Sequence, residues 1–259
     1  ALAALLGRPC CGAEGGGAAD AAAAARRLFS QYSQDKWLRA YFDRNFGPGY
    51  EGYYVDIGAH DGVLLSNTQA LDLRHWAGVC VEALPRNFGM RTCKLVKAVV
   101  SNRTGDSITF MDCKLAGTDG GDGGLSGIDG VGKNVGRQGC EEQHRTTTHI
   151  LEVLDGAAVP KVVDFVSLDV EGLEAVLLEA IPPSRLCARV WMIEHNHQEQ
   201  KSKLLRADLK KRGCHEAGNI EEDFIFTCPC GEDAAGASAS SPAAKKADTF
   251  AKLGPRTPV

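Results

Sequence analysis

Apolar residues along the chain fall into two alternating kinds of run. Short β-branched and aromatic stretches read as strands: Tyr53–Ile57, 78–81, 95–100, 107–111, 165–169, 189–193 and 223–228. Between them, apolar residues recur at helical spacing. Trp37, Leu38, Tyr41 and Phe42 share one face of a helix that Ser33 or Asp35 caps and Gly47-Pro48-Gly49 stops. A run over 63–73 reads as the first core helix, and Pro85 opens a short helical segment. Further helices follow at 150–154, at Leu173, Val176, Leu177 and Ile181 up to Pro182-Pro183, and at Leu204, Leu205 and Leu209. The last one ends in Lys210-Lys211-Arg212-Gly213, cations at a helix C-terminus followed by a glycine cap.

Strands alternating with helices predict an α/β fold with a mostly parallel sheet and helices on both faces. Three stretches escape the pattern. Residues 1–28 are rich in Ala and Gly and read as a flexible lead, with a short helix at 21–27. Residues 114–145 read as a Gly-rich insertion, ten glycines lying between 116 and 139 with one apolar island at 125–128. It is expected to be disordered, a mobile lid over a pocket being the alternative. Residues 229–259, rich in Ala, Ser, Pro and Lys, read as a disordered tail. The domain proper is therefore expected over 29–228.

Composition narrows the classes. The 259 residues have 44% hydrophobic content, enough for a sizeable core. A net charge of −4 gives no electrostatic case for nucleic acid, and the only compact basic run is explained by its helix end. No apolar run reaches the roughly 18 residues of a membrane span. A chain that starts at Ala1 reads most simply as a fragment or a processed chain. Ten cysteines without a Cys-x-x-Cys pair argue against zinc. Cys80 reads as core, and disulfides stay open.

In parallel sheets, ligands bind beyond the carboxyl ends of the strands. There the chain gathers acids and histidines: Asp56 with His60 and Asp61, Glu82, Asp169 with Glu171, and Glu194 with His195. Asp56-Ile57-Gly58-Ala59-His60-Asp61-Gly62 joins a strand to a following turn, where glycines permit close approach. Glu82 lies 24 residues beyond Gly58, where an acid accepts both hydroxyls of a ribose. Carboxylates at 56 and 61 repel a pyrophosphate but attract a sulfonium and an amine. S-adenosylmethionine is therefore preferred over a nicotinamide dinucleotide.

The motifs Ser33-Gln34-Asp35, 55–62, Ser66-Asn67-Thr68, 81–85, 164–172 with Asp169-Val170-Glu171-Gly172, and Ile193-Glu194-His195-Asn196 occur in this order. In them the chain resembles the FkbM-type methyltransferases over roughly residues 30–228. The resemblance implies a class I methyltransferase (Rossmann-like) sheet of seven strands with an antiparallel last strand. It also implies S-adenosylmethionine as cofactor and methylation of a sugar or small-molecule hydroxyl. By that resemblance, Asp56, Gly58 and Gly62 shape the methionine end of the cofactor site, with Ala59 and His60 in the same cofactor-binding loop; Ser66 hydrogen-bonds the cofactor carboxylate and Glu82 holds the ribose. Asp169 meets the cofactor amine or the acceptor, and His195 or Glu171 is the base. The site is read without a metal; a divalent ion on Asp169, Glu171 and Glu194 is the weaker alternative. A non-catalytic interaction or assembly subunit on the same fold is the rival reading. Glu174 reads as a first-turn residue favouring its helix dipole.

Overall fold

A computed structural model describes residues 28–113, 126–131 and 140–231. The N-terminal lead, most of the Gly-rich insertion and most of the C-terminal tail lie outside the described residues.

The chain opens with α1 (Gln34–Phe46), then β1 (Tyr53–Ile57), a single helical turn α2 (Gln69–Asp72), β2 (Ala77–Glu82) and β3 (Lys94–Lys97). Next come β4 (Val99–Ser101), β5 (Ser107–Cys113), β6 (Gly127–Ile128) and β7 (Cys140–His149). After α3 (Ile150–Gly156) follow β8 (Val162–Leu168), α4 (Glu174–Ala180), β9 (Cys187–Glu194), α5 (Glu199–Lys211), β10 (His215–Ile220) and β11 (Asp223–Thr227).

Seven strands form one sheet in the order β10-β11-β9-β8-β1-β2-β3. The β1–β2, β1–β8, β2–β3 and β8–β9 pairs are parallel, and β11 runs antiparallel between β9 and β10. Strand alternation sends neighbouring residues to opposite faces. Tyr54, Val190 and Met192 meet Leu38, Phe42 and Leu71 from α1 and α2 on one face. Val55, Ile57, Trp191 and Ile193 meet Ile150, Leu177, Leu178, Leu205 and Leu209 from α3, α4 and α5 on the other. Helices therefore cover both faces, as the run pattern predicts. Each fully buried side chain of this size contributes about 1.5–3 kcal/mol.

The expected single strand over 95–100 is two strands in different sheets. β3 closes the edge of the large sheet, and β4 joins a second sheet in the order β4-β7-β5-β6. This second sheet corrects the reading of 114–145 as one patternless insertion. Cys140 to Arg145 are the first half of β7, paired along β5, and Gly127–Ile128 pair with Phe110 and Met111. β7 escapes pattern reading because Cys140–His149 is polar and only one of its residues is fully buried, so it has no apolar alternation.

The helix expected over 63–73 is also corrected, since only Gln69–Asp72 is helical. Asp61 Oδ1 accepts hydrogen bonds from the Val63 and Leu64 N–H groups at 2.7 and 2.6 Å. Leu65 is left-handed (φ 59°), which no α-helix tolerates. At α1, Ser33 holds the N-cap position but makes no side-chain cap. Asp35 instead accepts from Phe29 N (2.7 Å) and Ser30 Oγ (2.7 Å), tying the preceding segment down.

Cys80 is not merely core. It forms a disulfide with Cys93, and Cys113–Cys140, Cys187–Cys230 and Cys214–Cys228 are also bonded. Cys113–Cys140 joins the two ends of the Gly-rich stretch, and Cys187–Cys230 holds the first residues after 228 onto β9. Among the described residues, no helix is long and apolar enough to cross a membrane.

Candidate active site at the carboxyl edge of the sheet

One cavity of about 320 Å³ opens over the carboxyl ends of the parallel strands. Five adjacent strands each bring one acid to it. Glu82 closes β2, Asp56 lies near the end of β1, Asp169 follows β8, Glu194 closes β9, and Asp223 opens the antiparallel β11. Asp223 stands directly opposite Glu194 in the strand register. The second sheet adds an apolar wall of Val99, Val100, Phe110 and Ile128, and the segment before α1 adds Gln31, Tyr32 and Gln34.

Of the residues expected at the site, Asp56, Gly58, Ala59, His60, Ser66, Glu82, Asp169 and Glu171 line this cavity. Asp56 is buried, and its Oδ2 accepts the Thr68 hydroxyl at 2.5 Å. Burial raises its pKa, against the lowering pull of Arg91. Glu82 accepts the His60 N–H on one oxygen and the Leu84 N–H on the other, each at 2.8 Å. Burial pushes its pKa up to about 7, the backbone donors opposing. A carboxylate has about four lone-pair sites, so Glu82 keeps capacity for ligand hydroxyls while clasping the glycine loop.

Gly58 has a sharper role than ligand approach. Its φ is +87°, and a Cβ there would stand 1.6 Å from the Asp169 carbonyl oxygen. The bare backbone lets the β1 loop press onto the end of β8, where Asp169 N donates to Ile57 O at 2.9 Å. Gly62 is not among the cavity-lining residues. It is also left-handed (φ +95°) and faces the Phe88 ring. Ser66 turns its hydroxyl to the chain itself, accepting from Thr68 N and Gln69 N at 3.2 and 3.0 Å.

Arg91 was invisible to motif reading, because nothing local marks it. It is buried and donates from Nε to Asp72 Oδ2, from Nη1 to Gly62 O and from Nη2 to Thr68 Oγ1, each at 2.6 Å. One guanidinium thus fixes the loop that carries Ser66 and Thr68, and through Thr68 it orients Asp56.

Around β8 the organiser is Glu174. It is fully buried, and its Oε1 accepts from Val170 N (3.0 Å) and Gly172 N (2.9 Å). These bonds hold Glu171 in a left-handed conformation (φ 59°) that presents it to the cavity. The dipole reading of Glu174 is thus replaced by a specific clamp. Its Oε2 accepts from Lys201 Nζ at 2.7 Å, and Lys201 Nζ also lies 3.7 Å from Glu194.

Carboxylate oxygens of Asp169, Glu174 and Glu194 all lie within 4.8 Å of one another. The set that converges thus has Glu174 where Glu171 was expected. The buried Lys201 ammonium already supplies positive charge to it. Glu194 is pushed up to about 8, by burial first and then by Glu171 and Glu174. Asp169 is raised well above the carboxylate range, by burial and then by Glu194, Asp223 and Glu174. Asp223 rises to about 6, again mainly by burial, and Gln34 Nε2 donates to it at 2.7 Å.

His195 is not brought to the cavity. Its ring stacks on Phe224 with 3.9 Å between centroids. Nδ1 accepts from His197 N at 3.0 Å, so Nε2 carries the proton and donates to Asn219 Oδ1 at 3.3 Å. Burial lowers its pKa and keeps it neutral. The physical reason is the strand period: Glu194 and His195 are consecutive, so only one of them faces the site.

A mostly parallel α/β sheet whose carboxyl edge carries an acid-lined cavity and a clasped glycine loop defines a protein that binds its ligand at the strand ends. Comparison with known families makes this specific. The family model described as "Methyltransferase FkbM domain" matches residues 56–222, well over half of the 259 residues. The chain belongs to this family of methyltransferases, as the motifs imply. No curated protein sequence matches it significantly. Among solved structures, a crystal structure of monomeric WbdD aligns at 10% identity and a TM-score of 0.40. The alignment covers 78% of this chain and 42% of that one, too loose a likeness to carry an argument.

Proposed function

We propose that the protein is an S-adenosylmethionine-dependent methyltransferase with a class I sheet, acting on the hydroxyl of a small molecule or sugar. The observation that carries the reading is Glu82. Its carboxylate holds the glycine loop by backbone N–H groups and still faces the cavity. That arrangement suits two vicinal ribose hydroxyls, each donating to one oxygen. The cofactor fits the rest of the cavity by chemistry. Val99, Val100, Phe110 and Ile128 give an apolar wall for a base. Beyond the cofactor, Asp169 Oδ1, buried and without a hydrogen-bond partner, suits a donor on the acceptor.

When bound, S-adenosylmethionine supplies a methyl group on a sulfonium, and transfer breaks that C–S bond as a C–O bond forms. The chain's part is positioning and proton removal. Asp169 is the group placed to take the hydroxyl proton, because its raised pKa makes its ionised form a stronger base. Glu171 stands at the cavity in a backbone conformation that Glu174 enforces. His195, neutral and turned away, orders the β9–β11 corner. The four disulfides suit work in an oxidising compartment.

Calorimetry with S-adenosylhomocysteine tests the reading. The expected result is binding, weakened at least about ten-fold by Glu82→Gln, in line with the loss of charge-assisted hydrogen bonds. Absence of binding, or an unaltered affinity in the variant, would overturn the assignment.

A further inference from the structure

We propose that the half of the cavity over β8, β9 and β11 is the acceptor subsite and that it selects an acceptor carrying a protonated amine. The proposal rests on the cofactor lying over β1 and β2.

The charge balance of this half is one-sided. Asp169, Glu171, Glu194, Glu222 and Asp223 all line it. Among the described residues, the one Lys or Arg lining the cavity is Arg86, on the β2 side and ion-paired with Asp112 at 2.6 Å. Lys201 lies behind the acids with its ammonium on Glu174 and is not a lining residue. An anionic acceptor would therefore enter a field of its own sign.

An independent observation points to a ligand. Asp169 Oδ1 is buried and has no hydrogen-bond partner. Its neighbours in the row are engaged: Asp223 takes Gln34 at 2.7 Å, and Glu194 takes the Asn196 amide. A native buried acceptor is rarely left unmet, so Asp169 marks the place where a donor is missing. A neutral hydroxyl would satisfy that atom but do nothing to favour ionisation of the acids crowded around it. An ammonium supplies three donors and the charge together. Burial first, and then neighbouring acids, raises Asp169, Glu194 and Asp223, so a cation that lowers these pKa values displaces protons on binding. Gln31, Tyr32 and Gln34 close the subsite with neutral polar groups suited to the rest of a small polyol.

Three sugars of similar size separate the possibilities: glucosamine, glucose and glucuronate. Each is titrated calorimetrically at pH 7 into the full chain saturated with S-adenosylhomocysteine. Glucosamine is expected to bind at least ten-fold more tightly than glucose, with no binding of glucuronate. Asp223→Asn, which keeps a carbonyl for Gln34, is expected to weaken glucosamine at least five-fold while the S-adenosylhomocysteine affinity holds. Glu171→Gln gives the same readout if Asp223→Asn fails to fold. Equal binding of glucose or glucuronate, binding of none of the three, or indifference to the variants overturns the proposal. Failure of S-adenosylhomocysteine to bind counts against the cofactor reading alone, and the sugars are then compared on the unliganded chain by the same criterion.

Discussion

The two halves of the sheet edge use the same residue type in opposite ways. Over β1 and β2, Asp56 and Glu82 are met by neutral donors: the Thr68 hydroxyl and the His60 and Leu84 N–H groups. Over β8, β9 and β11, Asp223 and Glu194 each take one side-chain amide, Asp169 Oδ1 takes no donor, and the acids crowd one another with Lys201 as the nearby cation. The first half is preorganised by backbone and shaped to receive hydroxyls. The second crowds buried acids together, and burial with crowding raises their pKa values. Acids that share a position at a strand end are therefore told apart by their hydrogen-bond partners.

The largest expected effect comes from the seam between the halves. Gly58→Ala drives a methyl into the Asp169 carbonyl and puts a side chain on a φ of +87°. Backbone cannot yield there without parting β1 from β8. The expected cost is about 3 kcal/mol or more, read as a fall in the denaturant midpoint or as loss of soluble protein. A variant as stable as the parent would mean that the two halves are not locked through this contact.

Next comes the cation of the crowded half. Lys201→Met keeps the stem and removes the ammonium, leaving Glu174 and Glu194 buried without it. Breaking a buried pair by deleting one partner typically costs about 3–5 kcal/mol. Part of that is recovered here if Glu194 takes up a proton, which its position near 8 already favours. The expected loss is therefore about 2–3 kcal/mol at pH 7 and smaller at pH 5. A loss independent of pH would assign Lys201 a packing role only. On the other half, Glu82→Gln is expected to weaken S-adenosylhomocysteine about ten-fold, because the ribose hydroxyls lose a charged acceptor.

The contrast also explains what was legible in the sequence. Asp56, Glu82, Asp169 and Glu194 were found by one rule, an acid at the carboxyl end of a parallel strand. Asp223 obeys the same geometry but begins its strand, because β11 is antiparallel, so a rule about strand ends passes over it. His195 was selected with Glu194 as one motif, yet consecutive strand residues face opposite ways. Arg91 and Lys201 carry no sequence signal. The groups their side chains hydrogen-bond to are 19 or more residues away and are brought to them only by tertiary packing. The sheet core was readable from its β-branched runs. β7 and β10 were not, since Cys140–His149 and His215–Ile220 are polar and hardly buried, and their pairing is carried by backbone rather than by apolar alternation. The disulfides depend on which strands become neighbours, which cysteine spacing does not encode.

The smallest effect per step, spread over both halves, is a pH dependence. Glu82, Asp223 and Glu194 have folded-state pKa values of about 7, 6 and 8, all above the ordinary carboxylate range. Between the unfolded and folded values the native state holds protons that the unfolded chain has released. Stability from these groups is therefore complete below about pH 4 and falls as pH rises through 6 to 8. Each proton involved contributes at most about 1.4 kcal/mol per pH unit. The unliganded protein is expected to be less stable at pH 8 than at pH 5, opposite to a protein whose carboxylates are stabilised by salt bridges. Asp223→Asn should remove one group's share of the slope between about pH 4 and 6, and Glu82→Gln a share extending to about 7. If Asp223→Asn leaves the profile unchanged, the crowding of the β8–β11 half is relieved in solution by rearrangement.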